Sequence, residues 1–146
     1  MKREPIPILT ILGRNDMDSM NPGKFGAQCS HASNAFVFDL GSKVIEKSYN
    51  GGDLTDVEVQ YVQWQGATSQ GFGTVVTRAV TERQMRDTVE AAQESGLVAG
   101  LVHDPEYPVQ DGATTHLIPV DTCAYLFSMS NDPRALALIS RFERYP

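Results

Sequence analysis

A chain of 146 residues sits near the commonest size for one domain and can bury a core of its own. Hydrophobic residues make up 41% and charged residues 21%, the balance of a soluble globular protein, and no apolar run approaches the ~20 residues needed to cross a bilayer. A net charge of -6 argues against a protein that coats nucleic acid without specificity; RNA recognition would need a local cluster of basic residues, for which Arg14, Lys24, Arg78, Arg83 and Arg86 are the candidates.

The start, Met1-Lys2-Arg3-Glu4-Pro5, has no long apolar stretch of the signal-peptide kind, and two cysteines in a chain of this size suit free thiols in a reducing compartment. The expected location is the cytoplasm, with no membrane association.

Pro7 to Leu12 is a short apolar run, as expected of a strand buried on both faces. A polar loop follows, ending in the turn signal Asn21-Pro22-Gly23. From Lys24 to Leu40, Phe25, Cys29, Ala32, Phe36 and Leu40 recur at helical spacing, and Gly41 is the expected stop. Asn50-Gly51-Gly52 marks a turn between two helices, the second carrying Val57, Tyr61 and Trp64 on one face. After the loop Gly66 to Gly73, the β-branched run Thr74 to Val80 predicts a strand. Thr81 and Gln84 form a capping-box pattern that opens a helix with Met85, Val89 and Ala92 inward and Gly96 as its end. Leu97 to Val102 predicts a second central strand and Ala124 to Phe127 a third. Asp132-Pro133 caps a last helix bearing Ala135, Leu138, Ile139 and Phe142. The alternation predicts one domain over residues 1–146, a three-layer α/β/α fold with a mixed central sheet of about four strands.

On the helical wheel Lys24, Gln28 and His31 fall within about 60° of one another, beside the apolar stripe, so they should line the boundary between core and solvent. Lys24 sits in the first turn, where the helix dipole disfavours a cation, a small penalty that hints at use. Three polar residues can also flank a helix by chance. Cys29 belongs to the apolar stripe, where packing is the commoner role, and His31 is two positions away and cannot face it. A metal site from His31, His103, His116 and Asp104 is opposed by the absence of His-Glu-x-x-His or Cys-x-x-Cys spacing and by the opposite strand faces of His103 and Asp104. Gly66 to Gly73 lacks the Lys-Ser/Thr of a phosphate-binding loop. No metal or other cofactor is expected.

Gly23-Lys24-Phe25-Gly26-Ala27-Gln28-Cys29-Ser30-His31-Ala32 resembles the signature of the type II peptidyl-tRNA hydrolases, the archaeal and eukaryotic form: Gly-Lys-x-Ala-Ala-Gln-Cys-Ser-His-Ala, with one departure at Gly26. Arg14-Asn15-Asp16 is similar to the Arg-x-Asp after the family's first strand. Trp64, Glu94-Ser95-Gly96-Leu97 and Val102-His103-Asp104 also resemble family features. After Asp104 the likeness weakens. The chain reads Pro105 to Ala113 where the family has Ala-Gly-x, then resumes at Thr115-His116-Leu117-Ile118-Pro119, with an insertion turning near Asp111-Gly112 and Val120-Asp121-Thr122 in place of Gly-Thr.

The resemblance implies hydrolysis of the ester of peptidyl-tRNA without a metal, releasing tRNA and peptide. It carries Lys24, Asp104 and Thr115 over as the catalytic set, and Gln28, His31 and Thr122 as substrate-binding residues. It also implies peptidyl-tRNA as partner and a homodimer, an assembly common in the family. Asp104 before Pro105 at a strand end is also an ordinary turn residue. The broken segment after Asp104 keeps a second expectation open: a tRNA- or protein-binding module on the same fold that has lost hydrolysis.

Overall fold

Apolar side chains alternating across four strands build two cores, one on each face of the sheet. The computed structural model describes residues 3–145; Met1 and Lys2, part of the N-terminal segment read for a leader, and Pro146 lie outside the described residues. Strand β1 (Pro7–Arg14) leads through a loop to helix α1 (Pro22–Phe36). A π-helical stretch (Val37–Gly41) continues into α2 (Ser42–Asn50), and α3 (Asp56–Gln65) follows. Then come β2 (Thr74–Val80), α4 (Glu82–Glu94), β3 (Val98–Asp111), β4 (Thr114–Met129) and α5 (Pro133–Ile139). The strand order is β2-β1-β4-β3, with β1 parallel to β2 and antiparallel to β4, and β4 antiparallel to β3. The sheet is mixed and has four strands, as the sequence predicts.

On one face Leu9, Ile11, Cys123, Tyr125 and Phe127 meet Ala32 and Phe36 of α1, Leu40 of the π-helical stretch, and Tyr61 and Trp64 of α3. On the other, Leu12, Val80, Ala124 and Leu126 meet Met85, Val89 and Ala92 of α4 and Ala135 and Ile139 of α5. Helices on both faces make the three layers.

Three expectations are corrected. α1 begins at Pro22, because Asn21 caps it with a side-chain oxygen that accepts from the Lys24 N–H at 2.9 Å and Pro22 takes the first turn. Gly41 does not stop the helix. It keeps helical dihedrals, and its missing Cβ leaves room for the Tyr61 hydroxyl, which lies 2.6 Å from where that atom would stand. Leu97–Val102 is not central: β3 is an edge strand, whereas β4 is central as expected, beside β1, and buried on both faces from Thr122 to Ser128. Hydrophobicity marks burial, not sheet order, so the edge position of β3 was invisible locally. The segment after Asp104 does turn at Asp111-Gly112, where Gly112 has φ +60°, but as the tip of a long β3–β4 hairpin.

Candidate functional site

Two irregularities in the β3–β4 pairing shape the site. The register shifts between Val102 and His103 and again between Asp104 and Tyr107. Regular alternation would turn Thr122 to the face of Ala124 and Leu126; the first shift instead delivers its hydroxyl to α1. There Thr122 donates to the Gln28 side-chain oxygen at 2.5 Å, and the amide nitrogen of Gln28 donates to Asp104 Oδ2 at 2.8 Å. The other carboxylate oxygen accepts from the Glu106 N–H at 2.9 Å. A hydroxyl, an amide and a carboxylate thus form one relay from core to cleft, with every member oriented by the next.

Burial pushes the Asp104 carboxyl up, but the Gln28 amide, the Glu106 N–H and the charges of His31 and His103 outweigh it. They hold the carboxyl below the ordinary carboxylate range. His31, half exposed, places Nε2 3.9 Å from Asp104 Oδ2. His103 leaves the opposite side of the strand, with Nδ1 2.8 Å from Asp121 Oδ1, so the two neighbours serve different faces.

Lys24 is held from the hairpin. Its ammonium donates to the Pro108 carbonyl at 2.7 Å and lies 5.1 Å from the centroid of the Tyr107 ring. Tyr107 is 0% exposed, its hydroxyl 3.2 Å from Ser19 Oγ. Lys24 forms no ion pair among the described residues, although it and Asp104 line the same cleft of about 330 Å³ with His31, Glu106 and Tyr107. Such a cleft can accept a polar substrate between a fixed cation and a fixed anion.

The structure brings Lys24, Gln28, His31 and Asp104 together. Gln28 is 2% exposed, deeper than the boundary position expected of it, because both ends of its amide are engaged. Thr122 is corrected as a substrate contact: it is fully buried and its hydroxyl is spent on Gln28, so it offers no surface. Thr115 stands on the outer hairpin, paired with Gln110 and lining an adjoining concavity with Ser19, Asn21 and Lys24, whereas Asp104 is not part of that concavity. Tyr107 and the Pro108 carbonyl were missed; they sit in the divergent segment, where no motif signals them.

The expected basic cluster does not assemble as read. Arg14 pairs with Asp16 and Glu82, Arg86 with Glu82 and Asp121, and Arg83 with Asp87. Cys29 and Cys123 pack as core thiols; burial pushes Cys123 up to about 12. No group of three or more His, Cys, Asp or Glu among the described residues could hold a metal ion, and no helix there is long and apolar enough to cross a membrane.

Compared with known families, the chain matches the peptidyl-tRNA hydrolase PTH2 family over residues 8–124, from the start of β1 into the central strand. The chain belongs to that family. Membership covers both walls of the Lys24–Asp104 cleft and includes the divergent hairpin. No curated protein matches the chain. Among solved structures, a protein of unknown function from Agrobacterium tumefaciens strain C58 is similar at 11% identity and TM-score 0.47, covering 96% of this chain and 98% of that one.

Proposed function

We propose that this family member hydrolyses the ester joining a peptide to the terminal ribose of tRNA, releasing peptide and free tRNA. The observation that carries the reading is that Lys24 and Asp104 line one cleft without pairing, each held by other partners. Family membership supports the substrate class. A water hydrogen-bonded to Asp104 attacks the ester carbonyl, and its proton passes to the carboxylate. The Lys24 ammonium stabilises the oxyanion that forms, and collapse expels the ribose oxygen, which takes up a proton. His31, across the Asp104 carboxylate, contacts the substrate at the mouth, and Gln28 and Thr122 fix the carboxylate. Thr115, in the adjoining concavity, contacts the end of the substrate that extends past Lys24.

No step calls on a metal, so full turnover in excess chelator is expected. A translation-related activity makes the cytoplasm the working compartment. A homodimer is the expected assembly, to which the exposed Phe38, Ile45 and Tyr49 offer apolar surface; sedimentation equilibrium measures it.

The deciding experiment is release of labelled peptide from peptidyl-tRNA by wild type, Lys24→Ala and Asp104→Asn. Release by wild type and near-background release by both variants is the expected result. No release by wild type overturns the reading and leaves the module that binds without cleaving.

A further inference from the structure

The described cations fall into two groups. Arg14, Lys43, Lys47, Arg83, Arg86 and Arg134 each lie within ion-pairing distance of an Asp or Glu. Arg3, Lys24, Arg78, Arg141 and Arg144 have no described carboxylate within that distance, and the last three gather in one place. Residues 143–145 run along the free edge of β2: the Ala79 N–H donates to the Glu143 carbonyl at 2.8 Å and the Tyr145 N–H to the Thr77 carbonyl at 3.3 Å. Arg78 and Arg144 are antiparallel partners in an isolated bridge, so their side chains leave the same side of it. The Arg78 guanidinium donates to the Phe142 carbonyl at 2.8 Å, and the Arg141 guanidinium lies 4.8 Å from the centroid of the Phe142 ring. Glu143, one residue from Arg144, alternates to the other side of the short strand.

Like charges set opposite each other across strands destabilise the pairing. Here two guanidiniums are opposed and a third stands close by, in a chain whose other arginines from Arg14 onward are neutralised. Planar guanidiniums suit phosphate, to which they can donate two bonds at once. Across the same sheet edge, on the other side of the short strand, lies the helix that carries Lys24. Tyr145, next after Arg144, stacks on Phe25 with centroids 3.7 Å apart and donates its hydroxyl to the Arg14 carbonyl; Phe25 adjoins Lys24 on α1.

We propose that Arg78, Arg141 and Arg144 bind backbone phosphates of the acceptor arm of tRNA, whose 3′ end enters the Lys24–Asp104 cleft. The identity of the RNA rests on the hydrolase reading; the arginine patch does not. A chain of net charge -6 repels RNA as a whole, so a local cluster must supply the attraction.

The test is binding of fluorescent deacylated tRNA to the full chain across a potassium chloride series. Arg78→Gln/Arg144→Gln should bind about tenfold more weakly at low salt, with a log–log salt slope shallower by about two. Arg78 holds a backbone carbonyl and Arg144 makes no side-chain hydrogen bond among the described residues, so Arg144→Gln alone keeps the test open if the double variant misfolds. Its slope should fall by about one. Arg144→Lys should recover most of the slope, and Arg83→Gln, which loses only its contact with Asp87, should match wild type. Unchanged affinity and slope in Arg144→Gln, or no tRNA binding by wild type at low salt, overturns the proposal. Peptide release separates the two readings. Arginine-dependent tRNA binding without ester cleavage sinks only the hydrolase. Cleavage with kcat/KM unchanged in Arg144→Gln sinks only the patch.

Discussion

Lys47 and Lys24 put the same charge to opposite uses. Lys47, on α2, closes on Glu58 of α3 at 2.5 Å, and the carboxylate, 3% exposed, also completes the α3 capping box by accepting from the Thr55 N–H. The pair is consumed in clasping two helices. Lys24 also has a carboxylate in its cleft, yet donates to a carbonyl, and Asp104 is served by an amide. Charges that satisfy each other hold a fold together; charges kept apart by neutral hydrogen bonds stay available to a third party.

Substitutions can break the comparison at either end. Lys24→Ala should lower kcat by about 10²–10³, the size of one lost oxyanion donor, with Tm nearly unchanged. Lys47→Ala should do the reverse, lowering Tm and sparing kcat. Asp104→Asn should cost about 10²-fold in single-turnover ester cleavage, since an amide oxygen is a poor proton acceptor. Next comes the relay beneath it. Thr122→Val leaves the Gln28 oxygen buried without a donor, and should cost about 1–3 kcal/mol in urea unfolding. The loosened carboxylate should also lower kcat about tenfold while KM barely moves. Tyr107 sharpens the contrast, because no ring among the described residues backs Lys47. Tyr107→Leu should lower kcat by up to about tenfold, whereas Tyr107→Phe, which keeps the ring beneath the ammonium, should stay near wild type.

The smallest effect is read in pH. The Lys47 hydrogen bond, with those from Thr55, holds Glu58 at about 2, well below its ordinary 4.5. Folding therefore favours the ionised form. The stabilisation is complete above about 4.5 and is lost as pH falls toward 2. The Tm gap between wild type and Glu58→Gln should be widest near neutrality and close across that window. A gap independent of pH would mean that the clasp does not depend on the charge.

Much of this was legible beforehand, for identifiable reasons. The capping box at Thr81 and Gln84 and the stripes of α1, α3 and α4 are local patterns, set by helical spacing within a few residues. Lys24, Gln28 and His31 could be grouped because they share one helix face. The relay could not. Its Thr122 is ninety-four positions from Gln28 and turns toward it only through a register shift, which pairing between two distant strands creates. The basic cluster failed for a different reason: Arg83 and Arg86 meet Asp87 and Glu82 four positions away on α4 and Arg14 meets Asp16 two positions away, and only the contacts of Arg14 with Glu82 and of Arg86 with Asp121 need the fold.

The sequence by itself determined the three-layer α/β plan, the family signature from Gly23 to Ala32 and the two charges of the cleft, because these depend on residue type and short-range period. Tertiary structure alone decided that β3 is an edge strand, that Thr122 works from below, that the divergent hairpin wraps the Lys24 ammonium with Tyr107 and Pro108, and that three arginines at a sheet edge have no described carboxylate within ion-pairing distance. Each of those turns on which strand pairs with which and in what register, and the free energy of that choice is summed over the whole core.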